Sequence, residues 1–508
     1  MGDLAASVRL IVAGWVLLRH DALAPREIAH LLPPPVRLAA GALRLLAGPQ
    51  ARQGRPGERL AAAFEKLGPA AIKLGQLLST RADMFGTVFA EDLSHLKDRL
   101  APFPTDEARR EVERALDRPI GSLFASFGEP VAAASLAQAH DAVLTDGRRV
   151  AVKVLRPGVE RRVAADIAAA RLGERLDEGL VPASRRLEPR AFVATVARSM
   201  ELELDLRMEA AAAAELGEVM ARDAYMSAPP VVWEGVARRV LTLEWAAGAP
   251  LSSPASLEQP GLDRPALADN VIRGFLAQAL DHGAFHADLH EGNLFVAAPA
   301  RLVAVDFGIV GRIGRAEQKF LAEILWGFLR RDYRRIAEVH FEAGYVPAHH
   351  NVDDFAQSLR AIGEPIFGKP ARDVSMGRLL AQLFENTALF GMHLRPELVL
   401  LQKTMALVEG VARRIDPNHD IWIAARPVVE RWVMRELSPA AQVRDLVGQG
   451  RRALDGLARW AEAQPQSAPP PVVVRKASAT SAAALVVAAV ALAVAATALG
   501  VILSLVLL

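Results

Sequence analysis

The chain has 508 residues, enough for two or three domains, and a formal net charge of +2 at pH 7, so it carries no basic footprint for nucleic acid. It has no cysteine, which excludes disulfides, thiolate metal sites and cysteine nucleophiles. With 52% hydrophobic residues and a mean hydropathy of +0.18, it is more apolar than an ordinary soluble enzyme.

In chain order, Leu10–Leu18 is an apolar run flanked by Arg9 and Arg19, with no small-residue cleavage site behind it. No cleavable signal peptide is expected, and residues 1–25 read as a helix that either lies amphipathic on a surface or packs inside. Residues 26–125 read as further helices. There Gly68-Pro69 ends one helix and opens the next. In that next helix Lys73, Gln76 and Thr80 stand at i, i+3 and i+7, a polar stripe on an otherwise apolar helix. A stripe of this kind is either a wet face or a buried polar site.

Residues 126–246 carry strand signals. Val150-Ala151-Val152-Lys153-Val154 alternates with period two, and Asp146-Gly147 before it is a hairpin signal. Upstream, Ala132-Ala133-Ala134-Ser135 reads as a loop or as an alanine-rich helix start. Phe192–Met220 is expected to be one long helix bearing Glu201, Glu203, Asp205 and Glu209, with Glu203 and Glu209 on different faces. Val240–Glu244 reads as a strand running into a connection at Glu244–Ala246.

Residues 247–463 hold the densest chemistry. Ile272, Leu276 and Leu280 recur every four residues on a helix that Gly283 is placed to end. His286-Ala287-Asp288-Leu289-His290-Glu291-Gly292-Asn293 follows. Two short strands, Leu294–Val296 and Leu302–Val305, then flank a turn and deliver Asp306-Phe307-Gly308. Asp288 to Asn293, and Asn293 to Asp306, have the intervals of a kinase catalytic loop and its metal-binding Asp-Phe-Gly. Phosphoryl transfer needs Mg²⁺ on hard oxygen ligands and a carboxylate beside the attacking oxygen. Asn293 and Asp306 suit the metal, and Asp288 suits the nucleophile side. In that frame Lys153 holds nucleotide phosphates, with Glu203 or Glu209 as its partner. The backbone of Glu244–Ala246 reads the adenine edge. Ala132, Ala133, Ala134 and Ser135 stand where glycines ordinarily close over phosphates, so this loop must be shaped differently.

At the C-terminus, Gln464–Pro471 contains three consecutive prolines and reads, within 464–479, as a semi-rigid linker. No charged residue follows Lys476, and residues 482–508 are apolar apart from Thr497 and Ser504. As a helix these would reach roughly 40 Å, enough for one tilted bilayer span. A transmembrane anchor is therefore expected at 480–508. Arg475 and Lys476 place the remainder of the chain on the cytoplasmic side.

Together these motifs resemble the AarF/UbiB family of atypical kinases. The Lys-x-Gly-Gln hallmark matches Lys73-Leu74-Gly75-Gln76, the alanine-rich loop matches Ala132–Ser135, and the strand lysine matches Lys153. The Glu-x-Asp-x-x-x-Glu-Ala helix matches Glu203–Ala210, the catalytic loop matches His286–Asn293, and the metal acid matches Asp306. Two positions depart from the pattern: Ala212 stands where the family often has Asn, and Glu291 where it often has Pro. The resemblance implies an α+β, protein-kinase-like bilobal fold with an N-terminal helical Lys-x-Gly-Gln extension. Its lobes would be residues 126–246 and 247–463, and the extension bearing Lys73 and Gln76 would cover the peptide groove. The resemblance further implies ATP or ADP with Mg²⁺ as cofactors and ATPase activity in place of protein phosphorylation in trans. It also implies a role in ubiquinone biosynthesis at a bacterial-type inner membrane, with the bilayer, isoprenoid quinone precursors and quinone-biosynthesis enzymes as partners. The alternatives are a phosphotransferase acting on a lipid or small molecule, and a nucleotide-binding scaffold.

Overall fold

A computed structural model describes residues 2–22, 47–48, 54–79, 87–94, 96, 101–180, 189–364, 389–392 and 396–436. The first helix, α1 (Gly2–Arg19), is followed by α2 (Pro56–Leu67), α3 (Pro69–Ser79) and α4 (Thr87–Ser94). Phe64, Leu93 and Leu96 form the small core of this helical extension. Gly75 is required there: a Cβ would come within 2.2 Å of a Leu96 methyl and 2.7 Å of the Phe64 ring. Only glycine lets α3 approach α2 this closely. Gly68, at φ +101°, makes the break between α2 and α3.

After α5 (Thr105–Leu116) come β1 (Phe124–Ala133), β2 (Ala137–Leu144) and β3 (Arg149–Leu155). They form an antiparallel sheet completed by β4 (Val240–Glu244), in the order β1-β2-β3-β4. Alternation in β3 decides the geometry. Val150, Val152 and Val154 are buried with Phe124, Phe127 and the α5 residues Ala108 and Val112, so Lys153 points to the opposite face. Each such valine contributes about 1.5–3 kcal/mol through burial, which fixes the register of the lysine.

Between β3 and β4 lie α6 (Val159–Leu180), α7 (Pro189–Glu203) and α8 (Leu206–Asp223). The single helix expected over 192–220 is therefore two. Asp205 is extended (φ −121°, ψ 91°), and its carboxylate accepts from the Arg207 amide at 3.1 Å, capping α8. Glu203 and Glu209 thus sit on different helices.

The second lobe begins with β5 (Ala249–Pro250) and α9 (Arg264–Ala277). A π-helical turn, Gln278–His282, continues α9, and Gly283 at φ +68° stops it. Then come β6 (Ala284–His286), the hairpin β7 (Leu294–Ala297) and β8 (Arg301–Ala304), and β9 (Val310–Arg312), which pairs with β6. The hairpin register, Leu294 opposite Ala304, matches the expected turn at 297–300. Helices α10 (Arg315–Arg330), α11 (Tyr333–Glu342), α12 (Val352–Gly363), α13 (Pro396–Ile415) and α14 (Ile421–Glu436) complete the described lobe. The main core joins α9, the hairpin, α13 and α14 around Phe275, Phe285, Leu294 and Trp432. The expected linker and apolar C-terminal segment lie outside the described residues. Among the described residues no helix is long and apolar enough to cross a membrane.

Candidate active site

The inner face of β3, the start of α8 and the end of β8 converge on one cleft. The Lys153 ammonium donates to both Glu209 oxygens, at 2.7 and 2.9 Å, and to Asp306 Oδ1 at 3.1 Å. Glu209 is therefore the partner of Lys153. It lies in the first turn of α8, where the helix dipole favours its carboxylate. Burial pushes the Glu209 carboxyl up to about 7, against the pull of Lys153 and with the repulsion of Asp306. Asp306 is held well below the usual carboxylate range, chiefly by the Lys153 charge. Burial lowers the Lys153 pKa, but the two carboxylates outweigh it and the net shift is upward. The Glu209 side chain is only 9% exposed, whereas Asp306 is 51% exposed, so the knot opens to solvent on the Asp306 side.

Asp306 has φ +62°, a conformation uncommon outside glycine. It is held from both sides. The Val305 amide donates to Asn293 O at 2.9 Å, and Phe307 is buried with its ring 5.1 Å from that of His286. His286 ties the catalytic loop to this point. Its Nδ1 accepts from the Asp288 amide at 3.1 Å, and its Nε2 donates to Val305 O at 3.1 Å. The bond accepted at Nδ1 needs a neutral ring, and burial lowers the His286 pKa accordingly. The Asn293 amide nitrogen donates to Asp288 O at 3.0 Å, closing the loop on itself. Asn293 and Asp306 supply one amide oxygen and one carboxylate. This hard-oxygen pair fits Mg²⁺, whose remaining positions are ordinarily filled by phosphate and water. Glu291 is ion-paired with Arg414 of α13, which ties the loop to that helix.

The alanine-rich segment is a strand hairpin rather than a helix start. Ala132 and Ala133 end β1, and the Ala134 amide donates to Ala137 O at 2.8 Å. None of these alanines adopts positive φ, so the turn closes without glycine geometry. Arg156 donates to Ala134 O at 2.9 Å, and Ser135 is buried. Gln138 clamps the hairpin to the segment before α5: its Oε1 accepts from Phe103 N at 2.8 Å, and its Nε2 donates to Phe103 O at 3.0 Å. At the connection after β4, the Glu244 and Trp245 amides donate to Pro230 O and Arg149 O, each at 2.9 Å.

The extension enters this site from one side. Lys73 of α3 is ion-paired with Glu203 at the end of α7, so the Lys-x-Gly-Gln helix is latched to the helices behind the cleft. Gln76 is half-buried on the same helix, and its carbonyl accepts from Ser79 Oγ at 2.6 Å. Thr80 lies outside the described residues. Sequence reasoning missed Lys403 and Thr404 of α13. Thr404 is fully buried, with its hydroxyl 3.2 Å from Ala287 O, and the Lys403 ammonium donates to Ser79 Oγ at 3.3 Å. The available signal was a lone lysine inside an apolar helical stretch.

Comparison with known proteins accords with this geometry. Residues 95–340 match the ABC1 atypical kinase-like domain, and residues 359–420 match the UbiB helical domain. A probable protein kinase UbiB from Marinobacter nauticus is 37% identical over 465 residues, covering 90% of this chain and 83% of the relative. The chain belongs to the UbiB family of atypical kinases. A second UbiB, from Cellvibrio japonicus, is 40% identical over 427 residues, covering 83% of this chain and 77% of its own length. Among solved structures, Rv3197 from Mycobacterium tuberculosis, determined with erythromycin, aligns with a TM-score of 0.50 at 24% identity. That alignment covers 72% of this chain and 93% of Rv3197, and it shows a shared fold alone.

Proposed function

We propose that this UbiB-family chain binds ATP or ADP with Mg²⁺, hydrolyses ATP, and supports quinone biosynthesis at a membrane. The observation that carries the reading is the three-charge knot of Lys153, Glu209 and Asp306 beside the Asp288–Asn293 loop. In this reading Glu209 aims Lys153 at the nucleotide phosphates, Asn293 and Asp306 hold the metal, and Asp288 orients the attacking oxygen. Bound Mg²⁺ would offset charge on the phosphate oxygens. Asp306→Asn should reduce Mg²⁺-dependent phosphate release at least about a hundredfold while the protein still folds. Release near the wild-type rate in the folded variant would sink the reading.

Transfer to a lipid or small-molecule hydroxyl uses the same residues. It is favoured to the extent that the Asp288 side chain, 41% exposed, leaves room for an acceptor larger than water. Radiolabel from γ-labelled ATP found in extracted lipid, rather than in free phosphate alone, would select that branch. The membrane part of the reading draws on two features. One is the uncharged run at 482–508. The other is the exposed face of α1, where Val8, Ile11, Val12 and Trp15 form a single apolar stripe. A chain ending before Thr480 should leave the membrane fraction under a high-salt wash yet keep its nucleotide affinity. Retention on the membrane would move the anchor to α1.

A further inference from the structure

We propose that Lys403 is a phosphate-facing cation of this site, delivered to the Asp288 side of the cleft by helix α13 of the C-terminal helical region. The inference rests on the nucleotide reading above. Thr404 docks α13 on the residue immediately before Asp288: its buried hydroxyl lies 3.2 Å from Ala287 O and 2.8 Å from Leu400 O. Glu291 and Arg414 make a second tie between the same loop and the same helix. With α13 fixed at both points, the Lys403 ammonium is set beside the end of α3, donating to Ser79 Oγ at 3.3 Å. Ser79 donates its own proton to Gln76 O, so it meets Lys403 as an acceptor.

An ammonium has three donors, and one neutral hydroxyl does not neutralise it. Among the described residues the charged groups facing Lys403 are Asp288 on the loop and Lys73 on α3, and Lys73 is already paired with Glu203. Burial lowers the Lys403 pKa, with Asp288 opposing and Lys73 adding to the shift, as expected for a cation with no ion-pair partner among the described residues. The loop itself has no lysine or arginine there: the residues between Asp288 and Asn293 are Leu289, His290, Glu291 and Gly292. Lys153 is engaged by Glu209 and Asp306 on the other side. A transferring phosphoryl group spreads negative charge over three equatorial oxygens and needs cations on each flank.

The step balances with water as the acceptor. A bond forms between the water oxygen and the γ-phosphorus, and the water's proton passes to the Asp288 carboxylate. The bond from the γ-phosphorus to the bridging oxygen breaks, with its electron pair leaving on ADP. Lys403 exchanges no atom; it offsets charge on the γ-phosphoryl oxygens. It should therefore discriminate ATP from ADP, which a purely structural lysine would not.

The test uses the full chain with Mg²⁺, titrating ATP and ADP against a fluorescent ADP analogue and measuring phosphate release. Lys403→Met should weaken ATP roughly tenfold and leave ADP within about twofold, with phosphate release down roughly a hundredfold. Lys403→Arg should restore most of the ATP preference. If the Met variant does not fold, Lys403→Gln decides by the same ratio: selective loss of ATP affinity supports the proposal, and an unchanged ratio overturns it. Equal weakening of both nucleotides, or of neither, overturns the assignment. A wild-type chain that binds both nucleotides but releases no phosphate refutes the hydrolysis reading alone, and the affinity ratio still judges Lys403. A chain that binds neither refutes both.

Discussion

Two lysine–glutamate pairs flank the junction between α7 and α8, and they are built differently. Lys153–Glu209 is a three-body arrangement: Asp306 shares the ammonium, the glutamate is nearly buried, and the acid from the Asp-Phe-Gly opens to solvent. Lys73–Glu203 is a latch, with each side chain 18% exposed, that joins the extension to the end of α7 and does not include the acid of the Asp-Phe-Gly. A shared, perturbed charge suits a site that must exchange partners when phosphate and metal arrive. An ion pair set apart from that acid suits holding two helices together. The residue separating them is Asp205, which ends one helix and caps the next and so sends two acids six residues apart to two different tasks.

Charge exchange sharpens this contrast most. Lys73→Glu combined with Glu203→Lys should recover most of what either single change loses, about 1–3 kcal/mol by thermal unfolding. Lys153→Glu with Glu209→Lys should recover no nucleotide binding, because the new lysine would start from α8 and no longer face Asp306 from β3. Recovery in both pairs would erase the distinction between site and latch.

A smaller effect concerns the N-terminal lobe that presents Lys153. His140 is fully buried, accepting from Gln138 Nε2 at 2.8 Å and donating from Nδ1 to Gly128 O at 2.9 Å. Burial lowers its pKa. A histidine held neutral in the fold is protonated more readily in the unfolded chain. The stability it contributes is therefore present above the unfolded value of about 6.5 and lost as pH falls below it. His286 and His340 shift in the same direction for the same reason. Thermal midpoints should fall from pH 7 to pH 5, and by less in His140→Gln. An unchanged pH dependence in that variant would remove His140 from the account.

The sequence made the cleft legible where chemistry is local. Asp288, Asn293 and Asp306 lie within a short span whose strands and turn announce themselves by alternation and by Pro299. Lys153 stands out because period two is strict around it. The break at Asp205 was not legible. An acid inside an amphipathic run reads as a solvated face, and the extended conformation that makes it a cap is fixed from afar by the Leu206 amide donating to Arg238 O at 2.9 Å. The choice between Glu203 and Glu209 depended on that break. Lys403 was illegible for a related reason: its partner Ser79, and the Ala287 carbonyl that Thr404 reaches, are distant in the chain and meet α13 only once α3, the loop and α13 are assembled.

The most direct test of the distinction between the pairs is the dissociation constant of ADP with Mg²⁺ for four single variants of the full chain: Lys153→Met, Glu209→Gln, Lys73→Met and Glu203→Gln. The Lys153 and Glu209 variants should lose about tenfold or more, the value of a charge-assisted hydrogen bond, while the Lys73 and Glu203 variants stay within about threefold of wild type. Equal losses across all four, or a larger loss in the Lys73 pair, would contradict the assignment of one pair to the nucleotide and the other to the latch.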